Sequence, residues 1–138
     1  MAGAVLRLQR VAYRVEADLI GWDAIPPLHE SLAELMRVPV QWLGIRRGSE
    51  LVAALAYSDD GSTVDIDRLV VAPDVMRQGL GSALLGALPP GKRTTISTGS
   101  RNHPAHAFYL THGFKPVGET EPIPGLLVTH FERVAHGA

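Results

Sequence analysis

The sequence contains no cysteine, which excludes disulfide staples, thiolate zinc sites and any acyl-cysteine intermediate. It has no surplus of either charge. The 13 Lys and Arg stand against 14 Asp and Glu, a net −1, so nothing electrostatic argues for a nucleic-acid or anionic-membrane partner. No apolar run reaches the roughly 18 residues of a membrane span. The opening MAGAVLRLQR lacks the apolar stretch of a signal peptide. Internal repeats and low-complexity segments are missing too. The compartment expected from these absences is the cytoplasm. What is present is a chain of 138 residues, 46% of them hydrophobic, sufficient to bury one core. The expectation is a single domain over residues 1–138.

The stretch that organises the chain is LVVAPDVMRQGLGSALLGAL, Leu69 to Leu88. Leu69, Val70 and Val71 suit a buried strand, which Ala72, Pro73 and Asp74 stop. Arg77, Gln78, Gly79, Leu80, Gly81 and Ser82 then open a helix. Its apolar positions Leu80, Ala83, Leu84, Ala87 and Leu88 recur at helical spacing, and Pro89, Pro90 and Gly91 end it. A strand, a glycine-rich turn and a helix start together can bind an anion through free backbone amides. Without Cβ atoms at Gly79 and Gly81 a phosphate could approach the backbone closely. The P-loop pattern is excluded because no Lys-Ser or Lys-Thr follows these glycines. The dinucleotide fingerprint is excluded because its third glycine would fall on Leu84. A bare GxG is equally compatible with a tight turn before a well-packed helix.

Upstream, Val5, Leu8, Ala12, Val15 and Leu19 predict a helix from about Val5 to Ile20, broken by Gly21. Residues His29 to Arg37 read as a second short helix, ended by Pro39. Val40–Arg47 and Leu51–Tyr57 read as strands joined through Gly48 and Ser49. Asp59, Asp60, Gly61 and Ser62 mark the next hairpin turn. The strand Thr63–Val71 follows. By simple alternation Val64, Ile66 and Val70 share one face, interrupted by Arg68, and Asp65, Asp67, Leu69 and Val71 share the other. Two aspartates in a strand are unusual. They fit either a solvated surface, with Asp67 paired to Arg68, or a functional pair.

Downstream, Arg93–Thr98 reads as a strand. NHPAHAFYLTHGF reads as a helix with Asn102 or His103 as cap, Pro104 in the first turn and Gly113 closing it. Ala105, Phe108, Tyr109 and His112 share one face. His103 and His106 stand three apart with His112 further on, but no carboxylate or thiol lies near them, so no metal site is expected. His29, His130 and His136 form no pattern. Lys115–Thr120 and Leu126–Val134 read as a closing strand pair, with EPIPG between them as a loop.

VVAPDVMRQGLGSALL resembles motif A of the GNAT N-acetyltransferases, written Q/R-x-x-G-x-G/A. NHPAHAFYLTHGF is similar to the family's N-x-x-A-x-x-F/Y-Y-x-x-x-G-F, matching at Asn102, Ala105, Phe108, Tyr109, Gly113 and Phe114. The leading Gln/Arg position of motif A is Met76 here. That removes a polar side chain near the phosphates and leaves the backbone donors untouched. The resemblance implies an α/β fold of the α+β type: a mixed, mostly antiparallel sheet flanked by helices. The first forty residues match only loosely and offer no clear first strand, so the fold is expected to be shortened at its N-terminus. It implies that acetyl-CoA is the co-substrate and lies between the strands Thr63–Val71 and Arg93–Thr98. Its pantetheine would run along the backbone of Leu69, Val70 and Val71. Its pyrophosphate would sit on the amides around Arg77, Gln78, Gly79, Leu80, Gly81 and Ser82, with Asn102 helping to hold CoA.

The resemblance also gives Tyr109 the role of protonating the departing thiolate. It puts Asp65 at the position of the general base, with Asp67 one step nearer the cofactor. The connection holding Trp22, Asp23 and residues 25–28 would meet the acceptor, as would Ile123, Pro124 and Gly125. The activity implied is direct transfer of acetyl to a primary amine of a small molecule or peptide, without a metal. A base is needed because an ammonium, with a pKa near 10, is no nucleophile. Acidic residues near the presumed cleft favour a cationic amine or a basic peptide end. A catalytically weak acyl-CoA-binding regulatory module is the alternative, and a nucleotide-binding domain a third. Oligomeric state is open, a homodimer included.

Overall fold

The run Leu51–Tyr57 is apolar without alternation, and a strand of that composition must be covered on both faces. In the structure, a computed structural model that describes residues 2–20, 31–37 and 39–135, this run is the centre of β2 (Glu50–Asp59) and is buried throughout. Around it β1 (Gln41–Arg47), β3 (Thr63–Val71), β4 (Arg93–Gly99), β5 (Lys115–Ile123) and β6 (Leu126–Arg133) complete a six-stranded sheet in the order β1-β2-β3-β4-β6-β5. Only β3 and β4 run parallel; the other neighbours are antiparallel. Helices α1 (Ala2–Ile20) and α2 (Leu32–Arg37) precede the sheet, α3 (Leu80–Gly86) links β3 to β4, and α4 (His103–Thr111) links β4 to β5. This is the expected mixed fold, and among the described residues no strand precedes β1.

Two cores flank the sheet. On one face Leu55, Tyr57, Val64, Ile66, Ile96 and Phe131 pack with Leu84 and Leu85 of α3 and with Tyr109 and Phe114. On the other, Val5 and Leu8 of α1 pack on Val52, Ala54 and Val70. Beside them Gln9, wholly buried, meets the buried Arg68: Arg68 Nη1 donates to Gln9 Oε1 at 3.0 Å.

Several local expectations are corrected. Strand β3 does not alternate simply, because Ala56 pairs with Arg68 and the next residue, Tyr57, with Ile66, leaving Asp67 as a bulge. The extra residue flips the alternation, so Val64 and Ile66 share their core with Leu69 and Val71 rather than with Val70. It also brings neighbouring side chains together, Arg68 Nε lying 2.5 Å from Asp67 Oδ2.

Helix α2 starts at Leu32 because Ser31 and Glu34 form a reciprocal capping box: Glu34 N–H donates to Ser31 Oγ, and Ser31 N–H to Glu34 Oε1. Those hydrogen bonds to Ser31 hold the Glu34 carboxyl below its ordinary range. His29 lies outside the described residues. In α3 the buried positions are Leu84, Leu85 and, just beyond the helix, Leu88, whereas Ala83 and Ala87 are exposed. EPIPG is not a loop: β5 continues through Ile123, and only Pro124 and Gly125 (φ +89°) make the turn.

Candidate active site

The site is built where β3 and β4 part. Their parallel pairing covers only Thr63–Ile66 against Arg93–Ile96. From Arg68 to Val71, β3 keeps its ladder with β2, so the edge turned toward β4 offers backbone donors and acceptors with no strand opposite among the described residues. Leu69, Val70 and Val71 lie on this edge, and the Asp67 bulge sits where the opening begins. Adding a twist and a missing ladder bond at one point is the usual effect of a bulge.

Above the opening the chain turns through a short 3-10 helix, Pro73–Val75, into α3. Arg77 (φ +64°) and Gly79 (φ +80°) both adopt left-handed backbone. For Arg77 that is a locally strained conformation of the kind that collects at functional sites. Ala83 N–H is the first to bond inside the helix, at 3.0 Å to the Gly79 carbonyl. The amides of Leu80, Gly81 and Ser82 ahead of it lack intrahelical acceptors. Arg77, Gln78 and Gly79 are exposed, as is Met76.

Gly81 has a second reason to be glycine: a Cβ there would lie 2.9 Å from Cζ of Phe108, so the glycine lets α3 pack on α4. Leu80 points into the cores, so only its backbone faces the turn. Ser82 Oγ is 2.7 Å from His112 Nε2, tying α3 to the end of α4. Because Nδ1 of that ring lies 2.8 Å from the Phe108 carbonyl, it must donate there, and with the ring neutral the Ser82 hydroxyl donates to Nε2.

These conformations give opposite signs to two similar substitutions. Gly79→Ala is expected to destabilise by about 1–2 kcal/mol, the cost of a Cβ in left-handed backbone. Gly86→Ala, with nothing within 4 Å of the added Cβ and no positive φ, should stabilise by about 0.5–1 kcal/mol. Urea denaturation of the two variants checks both.

Asn102 is the cap of α4: its Oδ1 accepts from Ala105 N–H at 3.3 Å. Tyr109, about two helix turns further on, is 6% exposed and sits among the rings of Phe108, Phe114 and Phe131, at centroid distances of 5.4, 5.6 and 5.6 Å. It belongs to the α3–α4 face of the sheet.

Asp65 belongs to the opposite face. It pairs with Ser58 on β2 and Thr95 on β4, and Thr95 Oγ1 donates to Asp65 Oδ1 at 2.6 Å. Asp65 is exposed, one ladder pair before the strands part. Asp67, in contrast, is engaged by Arg68, whose guanidinium also lies 5.8 Å from the centre of the Trp42 ring. Tyr109 thus lies on one face of the sheet and Asp65 on the other, and the turn at Arg77–Ser82 follows the end of β3 beyond the point where the strands part. Ile123, Pro124 and Gly125 lie far along the β5–β6 hairpin, at its tip. Trp22, Asp23 and residues 25–28 lie outside the described residues.

Sequence reasoning missed Ser97, His130 and Thr120. Ser97 Oγ is 2.6 Å from His130 Nδ1, and Thr120 Oγ1 is 2.7 Å from His130 Nε2. No local spacing signals this group, because the β4–β6 and β5–β6 registers assemble it. Among the described residues no group of His, Asp or Glu is arranged to hold a metal ion.

Residues 40–116, more than half of the chain, match the family model described as an acetyltransferase (GNAT) domain. The UPF0157 protein YqkA of Bacillus subtilis is 30% identical over 135 residues, 95% of this chain. The chain spans about two-fifths (39%) of that relative's length. Among solved structures, the ribosomal-protein-S18-alanine N-acetyltransferase of Escherichia coli superposes with a TM-score of 0.76 at 17% identity, covering 99% of this chain and 90% of that one. The PaiA N-acetyltransferase of Thermoplasma acidophilum, solved with coenzyme A, gives 0.71 at 15% identity, covering 96% and 92%.

Proposed function

The chain belongs to the GNAT acetyltransferase family, and from that premise we propose that it transfers acetyl from acetyl-CoA directly to a primary amine. The observation that carries this reading is the parting of β3 and β4 after Ile66 and Ile96, with Tyr109 on one side and Asp65 on the other. An acyl transfer from a thioester needs a base where the amine enters and an acid where sulfur leaves. Opposite faces of the sheet suit those two roles.

In this reading pantetheine lies along the backbone edge of Leu69, Val70 and Val71. The pyrophosphate takes the amides between Arg77 and Ser82, with Arg77 adding positive charge. Asn102 borders the same cleft; its Oδ1 is spent on the α4 cap, so its Nδ2 group is the part that would reach CoA. Of the two aspartates, Asp67 is engaged by Arg68, so the exposed Asp65 receives the ammonium and assists its deprotonation. The amine then attacks the thioester carbonyl carbon, the C–S bond breaks, and the Tyr109 hydroxyl protonates the thiolate. Direct attack suits a chain without cysteine.

The acceptor class we favour is a cationic small amine or a peptide amine, the latter supported by the Escherichia coli neighbour named for an alanine of ribosomal protein S18. We place the reaction in the cytoplasm. Among the described residues no helix is long and apolar enough to cross a membrane.

The test is release of free CoA thiol from acetyl-CoA across amino acids, polyamines, aminoglycosides and peptides, a readout with no background from the protein itself. Release with one class establishes N-acetyl transfer and names the acceptor. Acetyl-CoA binding with no release across the panel would instead favour an acyl-CoA-binding regulatory module. Met76, exposed at the position where the family carries Gln or Arg, is the feature on that side. Absence of both binding and release would sink both readings.

A further inference from the structure

We propose that Ser97, His130 and Thr120 form a proton relay that accepts the proton of the acceptor ammonium at the mouth of the β3–β4 opening; this rests on the acetyltransferase reading above. Ser97 is the first residue of β4 past the last ladder pair, Ile66 with Ile96. In β4 and β6 the paired residues Ile96 and Phe131 turn into the α3–α4 core. Their neighbours Ser97 and His130, also paired, therefore turn to the other face, the face of Asp65 and Thr95. The exposed Ser97 hydroxyl thus stands just beyond Asp65, where the strands separate.

The hydrogen bonds of His130 suit a relay rather than a scaffold. Both ring nitrogens face hydroxyls, at 2.6 Å to Ser97 Oγ and 2.7 Å to Thr120 Oγ1. A hydroxyl can donate or accept. The neutral ring therefore takes the Ser97 proton at Nδ1 while Nε2–H donates to Thr120, and the protonated ring donates to both without moving. His112 lacks this freedom, since a backbone carbonyl fixes its Nδ1 as donor. His106 likewise faces the Gly99 carbonyl.

A neutral imidazole can take a proton at one nitrogen while the N–H of the other still donates, so the ring can carry a proton away from the Ser97 hydroxyl. Among the described residues, charged groups flank the ring on the three neighbouring strands. On its own strand Glu132 is paired to Arg93 of β4, with Lys115 of β5 opposite Glu132. On β5 Glu119 pairs with Thr129 and accepts from Ser100, and Glu121 follows Thr120. Across β4, Asp65 is bonded to Thr95.

The division of labour follows from charge. The Asp65 carboxylate attracts the ammonium. The ammonium gives one proton to Ser97 Oγ as the Ser97 proton passes to His130 Nδ1, and His130 later releases it to solvent. The neutral amine's lone pair forms the new N–C bond, and the C–S electron pair leaves with sulfur. The Tyr109 hydroxyl protonates that thiolate and is restored by the second proton shed from nitrogen. The products are an amide, free CoA and one proton in solution.

The experiment measures kcat against pH for the wild type, His130→Gln, Ser97→Ala and Thr120→Val. The probes are an alanine-headed peptide, spermidine and kanamycin. Isothermal titration with acetyl-CoA reports folding and binding for each variant. The expected wild-type profile has an acid limb, because the relay accepts a proton only with a neutral ring. His130→Gln, which keeps hydrogen-bonding capacity but cannot take up a proton, should lose that limb and fall about 10²-fold at pH 7 with acetyl-CoA affinity unchanged. Above pH 9.5, where more amine arrives neutral, the deficit should shrink to a few-fold. A purely structural role would leave the deficit constant with pH.

Ser97→Ala should reproduce the loss, and it decides the matter if His130→Gln does not fold. Thr120→Val should keep the limb with a several-fold lower rate. A wild-type pH profile in both His130→Gln and Ser97→Ala overturns the relay alone. A wild-type protein that binds acetyl-CoA and acetylates none of the probes overturns the transferase reading and the relay with it.

Discussion

Replacing Tyr109 by Phe is expected to lower acetyl transfer by about 10³-fold, within the range general acids supply, while acetyl-CoA still binds. The substitution keeps the ring and its contacts with Phe108, Phe114 and Phe131. Its cost in stability is confined to one hydroxyl, about 1 kcal/mol. A thiolate is a far better leaving group than an amine, so the acid is required late, when the C–S bond is already breaking. Loss of the hydroxyl should therefore appear in kcat and leave the KM for acetyl-CoA nearly unchanged. Steady-state thiol release, with binding followed by titration calorimetry, separates the two. A Tyr109→Phe protein with wild-type turnover would remove Tyr109 from the chemistry and leave it as a core aromatic.

Phe131→Ala should produce the largest loss of stability, about 3–5 kcal/mol. The ring is 1% exposed and lies 5.0 Å from the His106 ring and 5.6 Å from that of Tyr109. Truncation leaves a cavity under α4 that strands pinned on both sides cannot close: β6 is held by β4 and β5. For a domain of this size that is a large part of a total on the order of 7–20 kcal/mol. Urea denaturation measures the loss directly. Phe131→Leu, which refills most of the volume, should cost markedly less, and equal losses in the two variants would contradict a packing origin. Turnover should fall in Phe131→Ala even where it remains folded, because Tyr109 loses one wall of its ring pocket.

Local chemistry made much of this molecule legible from residues alone. The apolar run Leu51–Tyr57, the aspartate-glycine turn at Asp60–Gly61 and the punctuation by Pro73, Gly79 and Gly113 fix elements through short-range sterics and burial. Those forces act within a few residues, so spacing in sequence reports them. The two motifs around Gly79 and Tyr109 are of the same kind, each confined to one turn and one helix. The capping box at Ser31 and Glu34 was equally readable in principle, since both partners lie within one helical turn.

What the tertiary structure decided depends on strand register, which no local pattern carries. One unpaired residue, Asp67, reversed the faces of β3 and turned Asp67 toward Arg68, separating its fate from that of Asp65. The extension of β5 through Ile123 came from pairing with β6 rather than from the prolines within it. Ser97, His130 and Thr120 come from three strands and meet only because β4, β6 and β5 lie side by side. Side-chain chemistry was written in the sequence residue by residue; which of those side chains could meet was settled by hydrogen-bonded ladders between segments far apart in the chain.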